Sequence, residues 1–462
     1  MQKVKIRQEP YFNRETLRQD VMRLTDLYSD EGFAYVDVAT RVNQNADKLV
    51  ADIVFAIDKG KQVYFEKIQI VGNTKTRDKV IRRELKVHEQ ELYGGQRLKR
   101  SIRNLNRLDY FENVKVDTVK GSADDRMRAT LEVTEKSTGA FTLGAGYSTV
   151  ENAFVTGSIA ERNPFGRGQI LALRGVVGGK TQRYTLSFTE PWLFDIPLSA
   201  GAELYKWEYE FEDYTRDSVG GKLRLGYPLY EYLRGNVIYN LDFARIGNVD
   251  DDASTSIQQD EGNYVKSSIT LLPRYDSRDS LFNAKEGSLH SIEYEFAGLG
   301  GDVGFNKIVG DTGWYFPLFW KFIGVAHGRA GYVKGTSGME LPDFEKFYLG
   351  GINTLRGFQR DDLAPQQGGG PVGGDYFLQS NLELKFPLVE EAGVYGIAFL
   401  DGGMVRREED SFDFGEMRYS AGPEIRWLSP IGPIRIAYGY ILNQRDTDSG
   451  AGAWEFSMAS AF

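Results

Sequence analysis

The chain has 462 residues and a formal charge of −9, with no cysteine and three histidines. That composition excludes a disulfide framework and a thiolate metal site, and the longest apolar runs are too short for a transmembrane helix. The 52 glycines, 26 tyrosines and 28 phenylalanines at low overall hydropathy suit a β-barrel whose outside meets lipid and whose inside meets water. Charge divides the chain: residues 1–138 hold 27 basic and 22 acidic residues, the remainder 29 and 43.

The basic part reads as two small α+β modules, 1–63 and 64–138. Leu17, Val21, Leu24 and Tyr28 draw one apolar stripe on a helix from Arg14 to Ser29, which Gly32 ends. Residues Phe33–Val38 and Leu49–Ile57 are expected as strands around a polar turn, Asn43–Asp47. The second module opens with a strand, Tyr64–Val71, a Gly72-Asn73 turn and a short helix over Arg77–Leu85. A second apolar stripe, Leu98, Ile102 and Leu105, follows, and then strands Tyr110–Val116 and Met127–Val133 around the turn 121–125. The order is β-α-α-β-β; the first module lacks the opening strand and short helix and is expected to be truncated. This scheme, with its Val71-Gly-Asn-Thr-Lys-Thr76 turn, resembles the POTRA modules of outer-membrane assembly and secretion proteins.

From Gly139 onward the helical period gives way to a period of two. Phe141, Leu143, Ala145 and Tyr147 alternate with Thr142, Gly144, Gly146 and Ser148; Tyr184, Leu186 and Phe188 alternate with Thr185, Ser187 and Thr189. The same alternation marks 222–227, 237–243, 267–272, 291–296, 377–386 and 434–440. One face is apolar and the other carries Arg, Glu, Asp, Ser and Thr, as in a membrane barrel. Residues 139–462, at roughly 20 per strand and turn, hold about 16 antiparallel strands. Aromatic clusters at strand ends, Pro191–Phe194, Trp314–Pro317, Phe319-Trp320 and Trp427, suit the headgroup layer. The fold class expected is an all-β transmembrane barrel preceded by α+β modules. A barrel of this kind needs its last strand, with Trp454, Phe456, Met458 and Phe462 on one face, to close on the first, near Phe141 to Tyr147. Glycines 139, 144, 146, 450 and 452 weaken that seam.

One loop stands out: Gly350-Gly-Ile-Asn-Thr-Leu-Arg-Gly-Phe-Gln-Arg-Asp-Asp362. Its glycines suit turns, and no Lys-Ser or Lys-Thr follows to make it a phosphate cradle. Leu355-Arg-Gly-Phe358 in this loop, together with Arg274–Asp279 ahead of Gly287, Phe399-Leu-Asp-Gly-Gly403, Ser429–Tyr438, a C-terminal aromatic and two POTRA-like modules, resembles the BamA-type outer-membrane assembly factors over nearly the whole chain.

The resemblance implies a role and a site. The loop arginine of that family corresponds to Arg356, its acidic partner on a later inward strand to Asp401, and Glu383 fits a second acid on the same wall. A guanidinium can take two carboxylate oxygens in a fork and so hold the loop inside the lumen. Gly357 would allow the turn and Phe358 would pack on the wall. The seam would be made by Phe141, Leu143, Ala145 and Tyr147 against Phe456, Met458 and Phe462. Such a protein is expected in the bacterial outer membrane with its modules in the periplasm. It would insert β-barrel clients through a weak seam, using periplasmic chaperones, accessory outer-membrane lipoproteins and the lipid bilayer as partners. The amino terminus has no hydrophobic segment, so either the protein is not exported or its signal lies outside this sequence; under the resemblance, a signal peptide and earlier modules are expected to be absent from it.

Other chemistry is sparse. His88, His290 and His327 have no metal-like spacing, and Asp250-Asp-Asp252 lacks the spacing of a calcium loop. No serine-nucleophile motif, carboxylate dyad or nucleotide fingerprint is present, so neither an enzyme, a cofactor nor a nucleic-acid partner is expected. The alternatives are a TamA-type assembly relative, a two-partner secretion transporter that exports a polypeptide, and a plain porin, which would leave the modules and the Arg-Gly-Phe loop without a purpose.

Overall fold

The computed structural model describes residues 4–45, 49–149, 151–281, 283–359, 362–368, 370–410, 413–429, 432–445 and 448–458. Two compact units divide it, one comprising residues 1–139 and 162–169, the other 140–161 and 170–462.

In the first unit, α1 spans Arg14–Asp30 and is capped by Asn13, whose side chain accepts from the backbone N–H of Glu15 and Thr16. Strands β1 (Asp37–Asn45) and β2 (Val50–Asp58) pair antiparallel, with Asp37 opposite Asp58. The expected strand over Phe33–Val38 starts later than its apolar residues suggest. Gly32 at φ +101 and backbone turns from Gly32 to Val36 hold that stretch at the helix end, and pairing begins at Asp37. Asn43 to Asn45, expected in the turn, continue the strand.

The second module contains β3 (Tyr64–Val71), α2 (Asp78–Arg82), α3 (Gly95–Leu108), β4 (Phe111–Lys120) and β5 (Arg126–Glu135). The sheet order is β3-β5-β4, with β3 parallel and β4 antiparallel to the central strand. Alternate residues of β5, Met127, Ala129, Leu131 and Val133, bury one face against Phe65, Ile68, Val80, Ile81 and Leu105. Gly72, at φ +86, brings the following turn so close to β5 that a Cβ there would lie 2.0 Å from the Val133 carbonyl oxygen. Glu135 cradles that turn, accepting from the N–H groups of Thr74, Lys75 and Thr76 and from the Thr74 hydroxyl. Burial pushes its carboxyl up, but the hydrogen bonds from Thr76, Thr74 and Lys75 outweigh that and hold it at about 2.

The second unit is a barrel. In chain order its strands are β6 (Gly139–Ser148), β7 (Asn152–Arg162), β8 (Ile170–Gly178), β9 (Thr181–Glu190), β10 (Ser199–Glu210), β11 (Thr215–Pro228), β12 (Leu233–Gly247) and β13 (Gly262–Asp276). Then come β14 (Gly287–Gly301), β15 (Phe305–Pro317) and β16 (Ile323–Gly335), a small loop hairpin β17 (Gln366–Gln367) and β18 (Gly370–Pro371), and β19 (Tyr376–Val389), β20 (Val394–Arg406), β21 (Arg418–Ser429), β22 (Gly432–Ile441) and β23 (Gly452–Met458). Except for the loop hairpin, these strands follow one another antiparallel around a closed ring of sixteen. Closure satisfies the backbone groups that lipid cannot, which is why strands can span here although no described helix is long and apolar enough to do so.

The period of two decides which side chain meets which medium. Leu143, Leu173, Leu204, Leu223, Ile292 and Leu382 are exposed on the outside, whereas Asp242, Ser268, Gln379, Asp401 and Glu424 are buried inside. Trp314, Phe319 and Trp320 are exposed near strand ends, where an amphipathic ring suits the headgroup layer. The apolar cluster inside the barrel forms where the long loop between β16 and β19 folds inward. Leu349, Leu355 and Phe358 of the loop pack there with Phe347, Phe377 and Val405.

Candidate functional site

The loop enters its turn on two glycines with positive φ, Gly350 and Gly351, and leaves it on a third, Gly357 at φ +92. Thr354 bridges the turn, its hydroxyl contacting both the N–H and the carbonyl of Gly350 at 2.8 Å, while the Gly351 N–H reaches the Phe358 carbonyl at 2.8 Å. At Gly357 the loop backbone rests on β22, so that a Cβ would meet the Gly439 carbonyl oxygen at 2.6 Å. Two glycines facing each other let backbone touch backbone.

This turn presents Arg356 to the wall, 2 % exposed. Its Nε and Nη2 each donate to one oxygen of Asp401 at 2.7 Å, a two-pronged fork, and its backbone N–H adds a third bond to Asp401 at 3.1 Å. Nη1 is shared between Glu383 at 2.8 Å and Glu424 at 2.7 Å. The guanidinium lies over the Phe399 ring at 3.7 Å, and the Ser420 hydroxyl donates to the Arg356 carbonyl. Asn381 donates to the Thr354 carbonyl at 2.8 Å and fixes the turn before the arginine.

Two wall arginines complete the site. Arg435 donates to both Glu424 oxygens, at 2.8 and 3.0 Å, and Arg426 binds Glu424 at 2.8 Å and Glu383 at 3.3 Å. Three guanidiniums thus meet three carboxylates. Such a buried set adds little net stability because its desolvation is costly, but removing one member leaves the others uncompensated. Phe358 is 1 % exposed, and Arg418 lies over its ring at 5.0 Å.

Asp401 and Glu383 both meet Arg356, each from an inward position of its strand. Glu424 escaped the sequence reading although it makes a 2.7 Å bond to the same guanidinium. Its signal was the inward phase of β21: Ser420 pairs with Asp401 and Glu424 with Ile397, which puts both on the lumenal row. Glu455 was missed as well. Buried on β23, it lies beside the Gly357 backbone, so the last strand also approaches the loop.

The seam is short. Between β23 and β6 the described residues give two register pairs, Ser457 with Ser148 and Met458 with Tyr147, against seven between β22 and β23. The Thr149 N–H adds a bond to the Phe456 carbonyl at 3.0 Å, and the Tyr147 and Phe456 rings lie 5.9 Å apart. Phe141 and Leu143 are exposed, and with Ala145 they have no register partner on β23 among the described residues. Phe462 lies outside those residues. His327 faces inward between Asp311 and Asn381, His290 touches Thr312 and His88 pairs with Glu91; the three are on separate elements.

A closed sixteen-stranded antiparallel barrel behind POTRA modules, with a buried loop arginine pinned to its inner wall, is the architecture of an outer-membrane type of barrel. The Omp85 superfamily domain matches residues 163–462, and the POTRA domain, described as a surface antigen variable number repeat, matches residues 1–60 and 63–136. The chain belongs to the Omp85 superfamily. It is 33 % identical over 458 residues to the outer membrane protein assembly factor BamA of Nitratidesulfovibrio vulgaris, and 27 % identical over 509 residues to that of Neisseria meningitidis serogroup B. Each match covers 98 % of this chain, which spans 58 % and 63 % of those two relatives. Its fold matches the crystal structure of BamA from Haemophilus ducreyi lacking POTRA domains 1–3, with a TM-score of 0.78, 22 % identity, and coverage of 97 % of this chain and 94 % of that one.

Proposed function

We propose that this chain is the barrel and two POTRA modules of a factor that folds and inserts β-barrel proteins into the bacterial outer membrane. The observation that carries the reading is the combination of a closed barrel, two POTRA modules ahead of it in the chain, and a loop whose pinned end lies against the last two strands. A seam weakened by Gly139, Gly144 and Gly146 on β6 would part to offer the free edge of β6 or β23 to a strand of an unfolded client. In the second module β4 is an edge strand, available for strand addition by clients, by periplasmic chaperones or by accessory outer-membrane lipoproteins. The modules would stand in the periplasm. The relatives named as assembly factors support the same role.

The activity needs no covalent chemistry. The free energy that inserts a client comes from the client's own burial of backbone hydrogen bonds in a closed barrel, with the chain providing a template and a locally disturbed bilayer. The Arg356 fork would keep the loop inside the lumen while the seam works. Depleting the protein from its host and taking a census of outer-membrane barrels tests this: other barrels should fall in abundance together. Normal levels of those barrels would overturn the reading, and steady, large single-channel currents from the purified barrel would favour an open pore instead.

A further inference from the structure

A second buried charge cluster lies on a different arc of the barrel, and the same loop supplies one of its members. Eleven residues before Arg356, Glu345 is 6 % exposed. Its carboxylate binds Lys266 of β13 at 2.9 Å and lies 3.6 Å from Arg216 of β11, while Lys307 of β15 donates to its backbone carbonyl at 2.7 Å. Beside it, Phe344 stacks under the Arg216 guanidinium at 4.3 Å. The wall supplies two acids of its own, Asp242 of β12 at 3.2 Å from Arg216 and Glu295 of β14 at 3.4 Å from Lys266. Three wall cations thus gather around Glu345, with Asp242 and Glu295 as further close acids.

The Arg356 site has the opposite sign. There the acids Glu383, Asp401 and Glu424, with Glu455 buried nearby, face two wall arginines, Arg426 and Arg435, and the loop supplies a third guanidinium. At one arc the loop brings an anion to wall cations, and at the other it brings a cation to wall acids. A buried charge left without its counterion is costly, so each half of the loop is held at its own arc and neither arc accepts the other half.

We infer that Glu345 is a second anchoring residue, so that the loop is held by two clamps of opposite polarity which open independently. Losing the Arg356 clamp frees the part of the loop over β19 to β23, while the part over β11 to β15 stays seated. A large movement of the loop out of the lumen requires both to open. For its bearing on assembly, though not for the anchoring itself, this inference rests on the function proposed above.

The absence of cysteine makes single-cysteine reporters straightforward. Ser218, 1 % exposed beside Asp242, reports on the first clamp, and Ser420, fully buried under the Arg356 carbonyl, reports on the second. Labelling by a water-soluble maleimide is measured in the full chain carrying Ser218→Cys or Ser420→Cys. Glu345→Gln is expected to speed labelling at position 218 by about tenfold or more and to leave 420 nearly unchanged; Arg356→Gln should do the reverse. Adding Lys266→Gln to Glu345→Gln removes the excess cation and should restore most of the protection at 218, an outcome that loss of packing alone would not give. Equal exposure of both reporters by either single variant would overturn the inference, as would unchanged protection at 218 in Glu345→Gln. These rates do not depend on what the barrel assembles; the census of outer-membrane proteins in the same strains tests that separately.

Discussion

The second POTRA module and the barrel lumen solve the problem of an interior in opposite ways. The module buries Phe65, Ile81, Leu105 and Met127 against one another, with its charges outside. The barrel turns its apolar residues outward and buries Arg356, Asp401, Glu424, Glu345 and Asp242. Area removed from water holds the module together and needs no particular partner; in the lumen an apolar cluster around Leu355 and Phe358 is joined by buried ion pairs, which are weak contributors to net stability and strict about position. The first kind of interior is tolerant of how its side chains meet; the second is strict about where the loop sits.

The largest test of that contrast is Arg356→Ala. It leaves Glu383, Asp401 and Glu424 with two arginines in a buried site, and about 3–5 kcal/mol of loop anchoring is expected to be lost, read as faster proteolysis of the loop and lower assembly activity. Asp401→Ala should act in the same direction. Exchanging the pair, Arg356→Asp with Asp401→Arg, recovers little, because Glu383 and Glu424 would face the new aspartate. In the module, Leu105→Ala is expected to cost about 2–5 kcal/mol of module stability, measured by denaturant-dependent hydrogen exchange in the full chain. Salt should change the first effect more than the second; equal salt dependence would erase the distinction. Glu383→Gln removes one of three acids and keeps a hydrogen-bonding side chain, so a loss of about 1–3 kcal/mol in loop anchoring is expected.

The smallest effect concerns the charged turn of the module. The Glu135 carboxyl is held at about 2, below its ordinary 4.5, so its contribution is fully present above about pH 4.5 and is lost as pH falls through 2. Hydrogen-exchange protection of the Thr74 to Thr76 amides should decline over that window, and Glu135→Gln should flatten the decline. A wild-type profile identical to that of the variant would show that the carboxylate does not hold the turn.

Much of this was written locally in the chain. A period of two over residues 139–462 announces strands wherever it occurs, because successive side chains point to opposite faces and only a barrel lets one face be apolar outside while the other is charged within. The stripe Leu98, Ile102 and Leu105 announces α3 in the same way, and the glycines around Arg356 announce a turn that presents it. The start of β1 was less legible, since Phe33 to Val36 are apolar for contact with the helix end rather than for pairing.

What the sequence could determine by itself was therefore periodicity, strand count and an arginine in want of an acid. Only the tertiary structure decided that Glu424 joins Asp401 and Glu383, that Glu455 of the last strand reaches Gly357, and that Glu345 completes a second cluster of opposite sign. The physical reason is register. Which rows of a barrel come level with one another depends on how each strand slides against its neighbour around the whole ring, and a one-residue slip of β19, β20 or β21 would turn that strand's carboxylate toward the lipid.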